Sequence, residues 1–236
     1  MTLLFNRCVD RVSVTLVARP RIYDEELRAA LVAAAAEQMA RSGPSGLSLR
    51  TLAAAVDTST NAIYTMFGGK PGLIGAVLAA ADESFTRSQR LARGEGRTLA
   101  DLRRLRHDYR DWALAHPTLF SAMFGDQKLL GHEVPLGRDE TPESIQPLLD
   151  VIGSLIATGV FREADPLIVA LSTWAGTHGG VTLEMAFWPG APFALALFEA
   201  HLAASERGWL TPYGLEVAAS LDAAGQTASV GHPEAN

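Results

Sequence analysis

Apolar residues recur at helical rather than strand spacing along most of the chain. Leu27, Leu31, Ala35 and Met39, supported by Ala34, line one face of a segment predicted as a helix over Tyr23–Ser42. Asp24, Glu25 and Glu26 fill its first turn, where the helix dipole favours acids. Arg41 and then Gly43-Pro44 supply a cation, a terminal glycine and a stop. Ser48 can cap a short helix over Leu49–Val56 with Leu49, Leu52, Ala53 and Val56 inward, and Ser59 can cap another over Thr60–Phe67 with Ile63 and Phe67 inward. Gly68-Gly69 ends that helix. A longer one is predicted from Lys70 to Leu91, with Pro71 tolerated in its opening turn.

The same reading predicts a loop at Arg93–Arg97 and helices at Leu99–Ala115, Pro117–Phe124, Glu143–Thr158, Pro166–Gly179 and Pro192–Arg207. Gly125–Thr141 is polar and punctuated by Gly and Pro, which predicts a loop. The tail after Asp222 is small and polar and is expected to be disordered. The first 18 residues hold two apolar pieces split by Asn6, Arg7, Asp10 and Arg11, so no signal-peptide centre forms. A loosely ordered extension is expected there, with the true start further downstream. The expected division is an extension at 1–18, a first domain at 19–70, a second at 71–222, and a tail at 223–236.

Composition narrows the classes. Leu and Ala are abundant and aromatics are few, which favours an all-α fold. One cysteine, Cys8, excludes an intramolecular disulfide framework and a Cys-based zinc site. The spacing of His107, His116, His132 and His178 matches no metal site, so neither metal nor cofactor is expected. No stretch approaches the roughly 20 apolar residues that span a bilayer, and the chain reads as cytoplasmic without a membrane partner. The net charge of −6 speaks against nucleic acid until the chain is divided. Residues 1–70 carry eight Arg/Lys against six Asp/Glu, and residues 71–236 carry twelve against twenty. A near-neutral to slightly basic head on an acidic body is compatible with a small DNA-reading unit.

The two short helices, separated by Asp57-Thr58 with Ser59 as the second cap, have the order of a helix-turn-helix, which presents a helix N-terminus to the major groove. Asp57 falls where the tight turn calls for a left-handed backbone, a conformation Asp tolerates better than most residues. The face of the preceding helix supplies the wall that a lone pair of short helices lacks. The run GLSLRTLAAAVDTSTNAIYTMFGGKPGLIGAVL resembles the tetracycline-repressor (TetR/AcrR) family, matching its pattern at Leu49, Leu52-Ala53, Ser59, Ile63-Tyr64, Phe67, Lys70 and Leu73. It departs at Asp57, usually Gly, and at Thr58, usually Val. A hydroxyl at Thr58, where a methyl is normally buried, is expected to weaken the turn slightly.

The resemblance implies a DNA-binding transcriptional regulator whose contacts are Ser48, Arg50, Thr51, Ser59, Thr60, Asn61, Tyr64, Thr65 and Lys70. Thr60, Asn61 and Thr65 would face base edges and backbone, with Asn61 suited to a bidentate pair with adenine. Tyr64 and Lys70 would hold phosphates, and Ser48, Arg50 and Thr51 the opposite backbone. Arg19 and Arg21 would form an arm toward the minor groove. Against this stand the plain readings of a packing Tyr64, a solvated Asn61 and mobile surface arginines.

A second resemblance lies in HDYRDWALAHPTLFSAMF and TWAGTHGGVTLEMA, which are similar to the C-terminal WHG domain through Trp174, His178 and Gly179. It implies a helical homodimer in which the last two long helices, about Pro166–Met185 and Pro192–Arg207, pair into a four-helix bundle. Leu195, Leu197, Phe198 and Leu202 would supply much of the second helix's buried surface. It also implies an inducer pocket near Tyr109, Trp112, His116, Met123, Trp174 and His178, suited to a small molecule with apolar and polar parts. The expected function is repression at a palindromic operator, relieved by that inducer. Two rivals remain at this stage: a helical enzyme using His178 or Glu184 as base, with no nucleophile or cofactor loop beside them, and a module of the same fold that no longer binds specific DNA.

Overall fold

A computed structural model describes residues 25–125 and 143–230, and these form ten α-helices and no strand beyond one isolated bridge. The first four are α1 (Glu25–Ser42), α2 (Leu49–Ala55), α3 (Thr60–Phe67) and α4 (Lys70–Ala92). Leu31, Ala35 and Met39 of α1, Leu52 of α2, Ile63 of α3, and Leu73 and Val77 of α4 bury one shared core. Ile63 lies at its centre, fully buried, whereas Phe67 is only half-buried beneath the Arg28 guanidinium, 5.4 Å from its ring centroid. The cation covers the ring's edge of the core.

Next comes α5 (Leu99–Ala115), whose start is fixed by a full capping box between Thr98 and Asp101. Burial alone would raise the Asp101 pKa, but bonds from the Thr98 amide and hydroxyl and from Arg104 outweigh it and hold the carboxyl below its usual range. Pro117 then opens α6 (Pro117–Phe124), and α7 (Gln146–Ala157), α8 (Pro166–Phe187) and α9 (Ala194–Arg207) follow. Glu143–Ile145, expected as part of α7, is a separate 3-10 turn. The helix expected to stop at Gly179 continues to Phe187, because Gly179-Gly180 is followed by the good helix residues Leu183, Glu184, Met185 and Ala186.

The tail needs a correction. Residues 212–230 form α10 (Pro212–Val230), so the first eight residues of the expected disordered tail are helical. Thr211 Oγ1 accepts from the Gly214 amide at 3.0 Å and starts the helix with Pro212 in its first turn. Ala218, Val217 and Leu221 pack on the body core, and an alanine-rich stretch carries the helix onward. Below it, Arg162 N–H donates to Trp209 O and Thr211 N–H to Val160 O, a clasp between the α7–α8 and α9–α10 connections. A side chain at Gly214 has no room, since an added Cβ would stand 2.1 Å from Val160 O. Gly214→Ala is therefore expected to cost about 1–3 kcal/mol and to detach α10, read as a lower Tm and faster proteolysis after residue 211.

Several expectations lie outside the described residues: the 1–18 extension, the Arg19/Arg21 arm, the helix start at Tyr23-Asp24, the loop beyond Gly125, and the last six residues.

Candidate functional site

The turn between α2 and α3 carries both departures noted from sequence. Asp57 is left-handed with φ +50°, and the Thr58 amide donates to Ala53 O at 2.8 Å. The Thr58 hydroxyl is buried with no hydrogen-bond partner among the described residues. Such an oxygen loses its water without compensation. Asp57→Gly and Thr58→Val are each expected to stabilise the protein by about 1 kcal/mol, read by denaturant unfolding.

On α3, the Ser59 hydroxyl accepts from the Ala62 amide at 3.2 Å, so this oxygen works as a helix cap. Ala62 and Ile63 face the core, which leaves Thr60, Asn61, Tyr64 and Thr65 on the solvent side. Tyr64 is 58% exposed, and its ring leans over Gly69, where an added Cβ would lie 3.0 Å from it. Thr65 Oγ1 donates to Asn61 O at 2.9 Å. Lys70 donates its ammonium to Ser45 O at 2.8 Å, so the side chain is tethered rather than free, with donors to spare for a second acceptor.

At the start of α2 the Ser48 hydroxyl accepts from the Thr51 amide at 3.4 Å and from the Thr51 hydroxyl at 3.1 Å. Arg50 is exposed and makes no ion pair among the described residues. The nine expected contact residues therefore lie at the start of α2, at the cap and along the solvent face of α3, and at the first residue of α4. Sequence reasoning missed Gln38, whose Oε1 accepts from the Ser48 amide at 3.2 Å, and the Ser45 carbonyl. Neither leaves a local signal, since one acts across ten residues and the other through backbone.

Behind this head lies an aromatic cluster in the body. His178 of α8 is surrounded by Phe120 (5.5 Å between ring centroids), Phe124 (4.8 Å), Trp174 (5.3 Å) and Tyr109 (6.2 Å). The Tyr109 hydroxyl and His178 Nδ1 are 2.7 Å apart, and the Thr182 hydroxyl lies 3.4 Å from Nε2. Burial pushes the Tyr109 phenol up and holds the His178 imidazole below its ordinary value. Met123 packs against the same cluster. Trp112 reaches it through Phe85 and donates its indole N–H to Ser84 at 3.1 Å. His116 stays outside, exposed, stacked on Trp112 at 5.2 Å.

Phe120 and Phe124 were missed although they stand four residues apart on α6. A lowered imidazole pKa means that protonation favours the unfolded chain. Stability contributed by neutral His178 is present above the unfolded imidazole pKa, near 6.5, and is lost as the pH falls below it. His178→Gln should flatten that slope in urea unfolding between pH 8 and 5.

One face of α6 enters this cluster, and the other packs Leu119 and Ala122 into the head core. The helix thus touches both halves. Glu184, one of the two residues that could serve as a base, is 5% exposed and held by Arg110 Nε and Nη2 at 2.8 and 2.6 Å. Between α8 and α9 runs an apolar groove of about 380 Å³ lined by Gly176, Gly179, Gly180, Leu183, Leu197 and Phe198. No single helix among the described residues is long and apolar enough to cross a membrane.

Comparison with known proteins matches both halves of the chain. Residues 31–77 match the family described as bacterial regulatory proteins, tetR family, and residues 102–205 match the tetracyclin repressor-like C-terminal domain. The second match spans Trp174, His178 and Gly179. Among solved structures, the regulatory protein SCO4313 is 31% identical over 76% of this chain and 95% of its own, with a TM-score of 0.61. A TetR-family transcriptional regulator (ECA1819) from Pectobacterium atrosepticum is 26% identical, covering 82% of this chain and 98% of that one, with a TM-score of 0.57. A protein of unknown function from Rhodococcus sp. RHA1 is 25% identical over 82% of this chain and 100% of its own, with a TM-score of 0.64. No match is found among curated proteins.

Proposed function

The chain belongs to the TetR family of transcriptional regulators, and from that premise we propose that it is a ligand-responsive repressor binding a palindromic operator as a homodimer. The family's members are regulators, not enzymes, which removes the catalytic role considered for His178 and Glu184. The observation that carries the reading is the solvent face of α3. Thr60, Asn61, Tyr64 and Thr65 stand together beside Lys70 on a helix whose other side is locked into the head core. A reading helix of eight residues, capped and buried on one side, suits the major groove.

The division into a head at 19–70 and a regulatory body after it is part of this proposal. Homodimerisation is supported by Leu195 and Leu197, which remain 46% and 48% exposed on α9, Leu197 lining one groove with Leu183 of α8. Within one subunit only Phe198 and Leu202 of the four expected leucine and phenylalanine positions are buried. A second copy would cover the rest. A small molecule entering beside Tyr109, Trp174 and His178 would displace Phe120 or Phe124, move α6, and shift the head through Leu119 and Ala122. Ligand release of the operator would then be a population shift between two head positions.

The test is selection of bound fragments from the host genome by the full-length protein. Recovery of a palindrome, bound by a dimer with affinity falling steeply in salt, supports the proposal. Retention of random DNA alone, or of none, rules it out in favour of a fold-sharing module without specific DNA binding.

A further inference from the structure

The starts of α2 and α5 solve the same problem in different ways. An α-helix leaves its first amides without carbonyl partners. A capping box satisfies two of them: the cap hydroxyl takes the amide three residues on, and that residue's side chain returns a bond to the cap's own amide. In α5 both bonds are local, between Thr98 and Asp101. In α2 the first bond is present, from the Thr51 amide to the Ser48 hydroxyl. The return bond is not made by Thr51, whose hydroxyl is too short and donates to Ser48 Oγ instead. Gln38 makes it from α1, accepting the Ser48 amide at 3.2 Å.

We propose that Gln38 completes the cap of α2 from outside that helix and so frees Thr51 to face the nucleic acid, which makes Gln38 a positioning residue for DNA recognition. The inference rests on the regulator reading above and adds a residue to it. A local box would demand an acid or an amide at residue 51, as Asp101 serves in α5. Asp or Glu would set a negative charge, and Gln a longer side chain, where the start of α2 meets phosphates. Supplying the acceptor from α1 keeps this position small and uncharged. It also ties the orientation of α2 to α1, while the Lys70–Ser45 bond ties the same connection to α4. The segment leading into the motif is thus held from both sides.

The test compares Gln38→Met, which keeps the shape but has no acceptor, with Gln38→Glu, which keeps an acceptor. Exchange of the Ser48 amide is read by NMR, and affinity is read as the ratio of operator to random-sequence DNA, so that an added charge cancels. In Gln38→Met, Ser48 exchange should rise about tenfold and the affinity ratio should fall about tenfold. In Gln38→Glu both should return to within about threefold of the starting protein. Adding Thr51→Gln to Gln38→Met should restore Ser48 protection through a local box and leave the ratio low. Unchanged Ser48 exchange in Gln38→Met overturns the split cap. An unchanged ratio overturns the positioning role, and a ratio rescued by Thr51→Gln overturns the claim that recognition needs residue 51 left free. A wild-type protein that prefers no genomic sequence removes the regulator reading and that role with it, whereas Ser48 exchange still decides the cap.

Discussion

Arg110→Ala should destabilise the protein by about 3–5 kcal/mol, the cost of leaving one partner of a buried ion pair alone. Glu184 is 5% exposed, and both its oxygens are taken by Arg110 at 2.8 and 2.6 Å. The Arg110 guanidinium also lies 5.7 Å from the Phe198 ring centroid, so the pair joins α5 to α8 and α9 together. Without it, a carboxylate stays in an apolar groove and must be protonated or drag water inward. The sign of the repair separates this account from simple loss of packing. Glu184→Leu added to Arg110→Leu should recover most of the loss, because apolar residues replace a buried pair at little cost. Urea unfolding of the single and double variants reads both outcomes. Equal losses in the two would show that the charges were not the cause.

That pair also marks where sequence reading stops. Local signals made the head and the early body legible: Pro117 set the start of α6, and Ser48, Ser59 and Gly68 the bounds of α2 and α3. Asp57 was readable because few side chains accept a positive φ. Arg110 and Glu184 are 74 residues apart, and each looks like an ordinary surface charge until the helices meet. The aromatic cluster was half legible. Trp174 and His178 share a helix face, but Phe120 and Phe124 join them only through the placement of α6. α10 was missed because its buried face is built from Ala, Val and spaced Leu within a small-residue stretch. The Thr211-Pro212 cap was the available signal.

The largest functional loss is expected on α3. Asn61 is exposed near the N-terminus of the reading helix, within reach of a base edge once the helix enters a major groove. A bidentate pair to one base is worth about 1–3 kcal/mol of discrimination. A homodimer makes the contact twice on a palindrome, so Asn61→Ala should cost about 2–6 kcal/mol of operator affinity, roughly 30-fold to more than 10⁴-fold. The loss should be confined to one symmetric base position, and DNA changed there should bind the variant and the original protein more nearly alike. Tyr64→Phe, which removes a hydroxyl from a ring that is 58% exposed and braced over Gly69, should instead weaken every sequence by the same factor. Lys70→Ala should also weaken all sequences and reduce the salt dependence of binding by about one phosphate contact per subunit. Because Lys70 also holds Ser45 O, its removal should loosen the α1–α2 connection, which Tyr64→Phe should leave intact. Titrations of operator and base-substituted DNA at several salt concentrations separate the three variants. A uniform loss in Asn61→Ala would assign that residue to the backbone and leave base reading to Thr60 and Thr65.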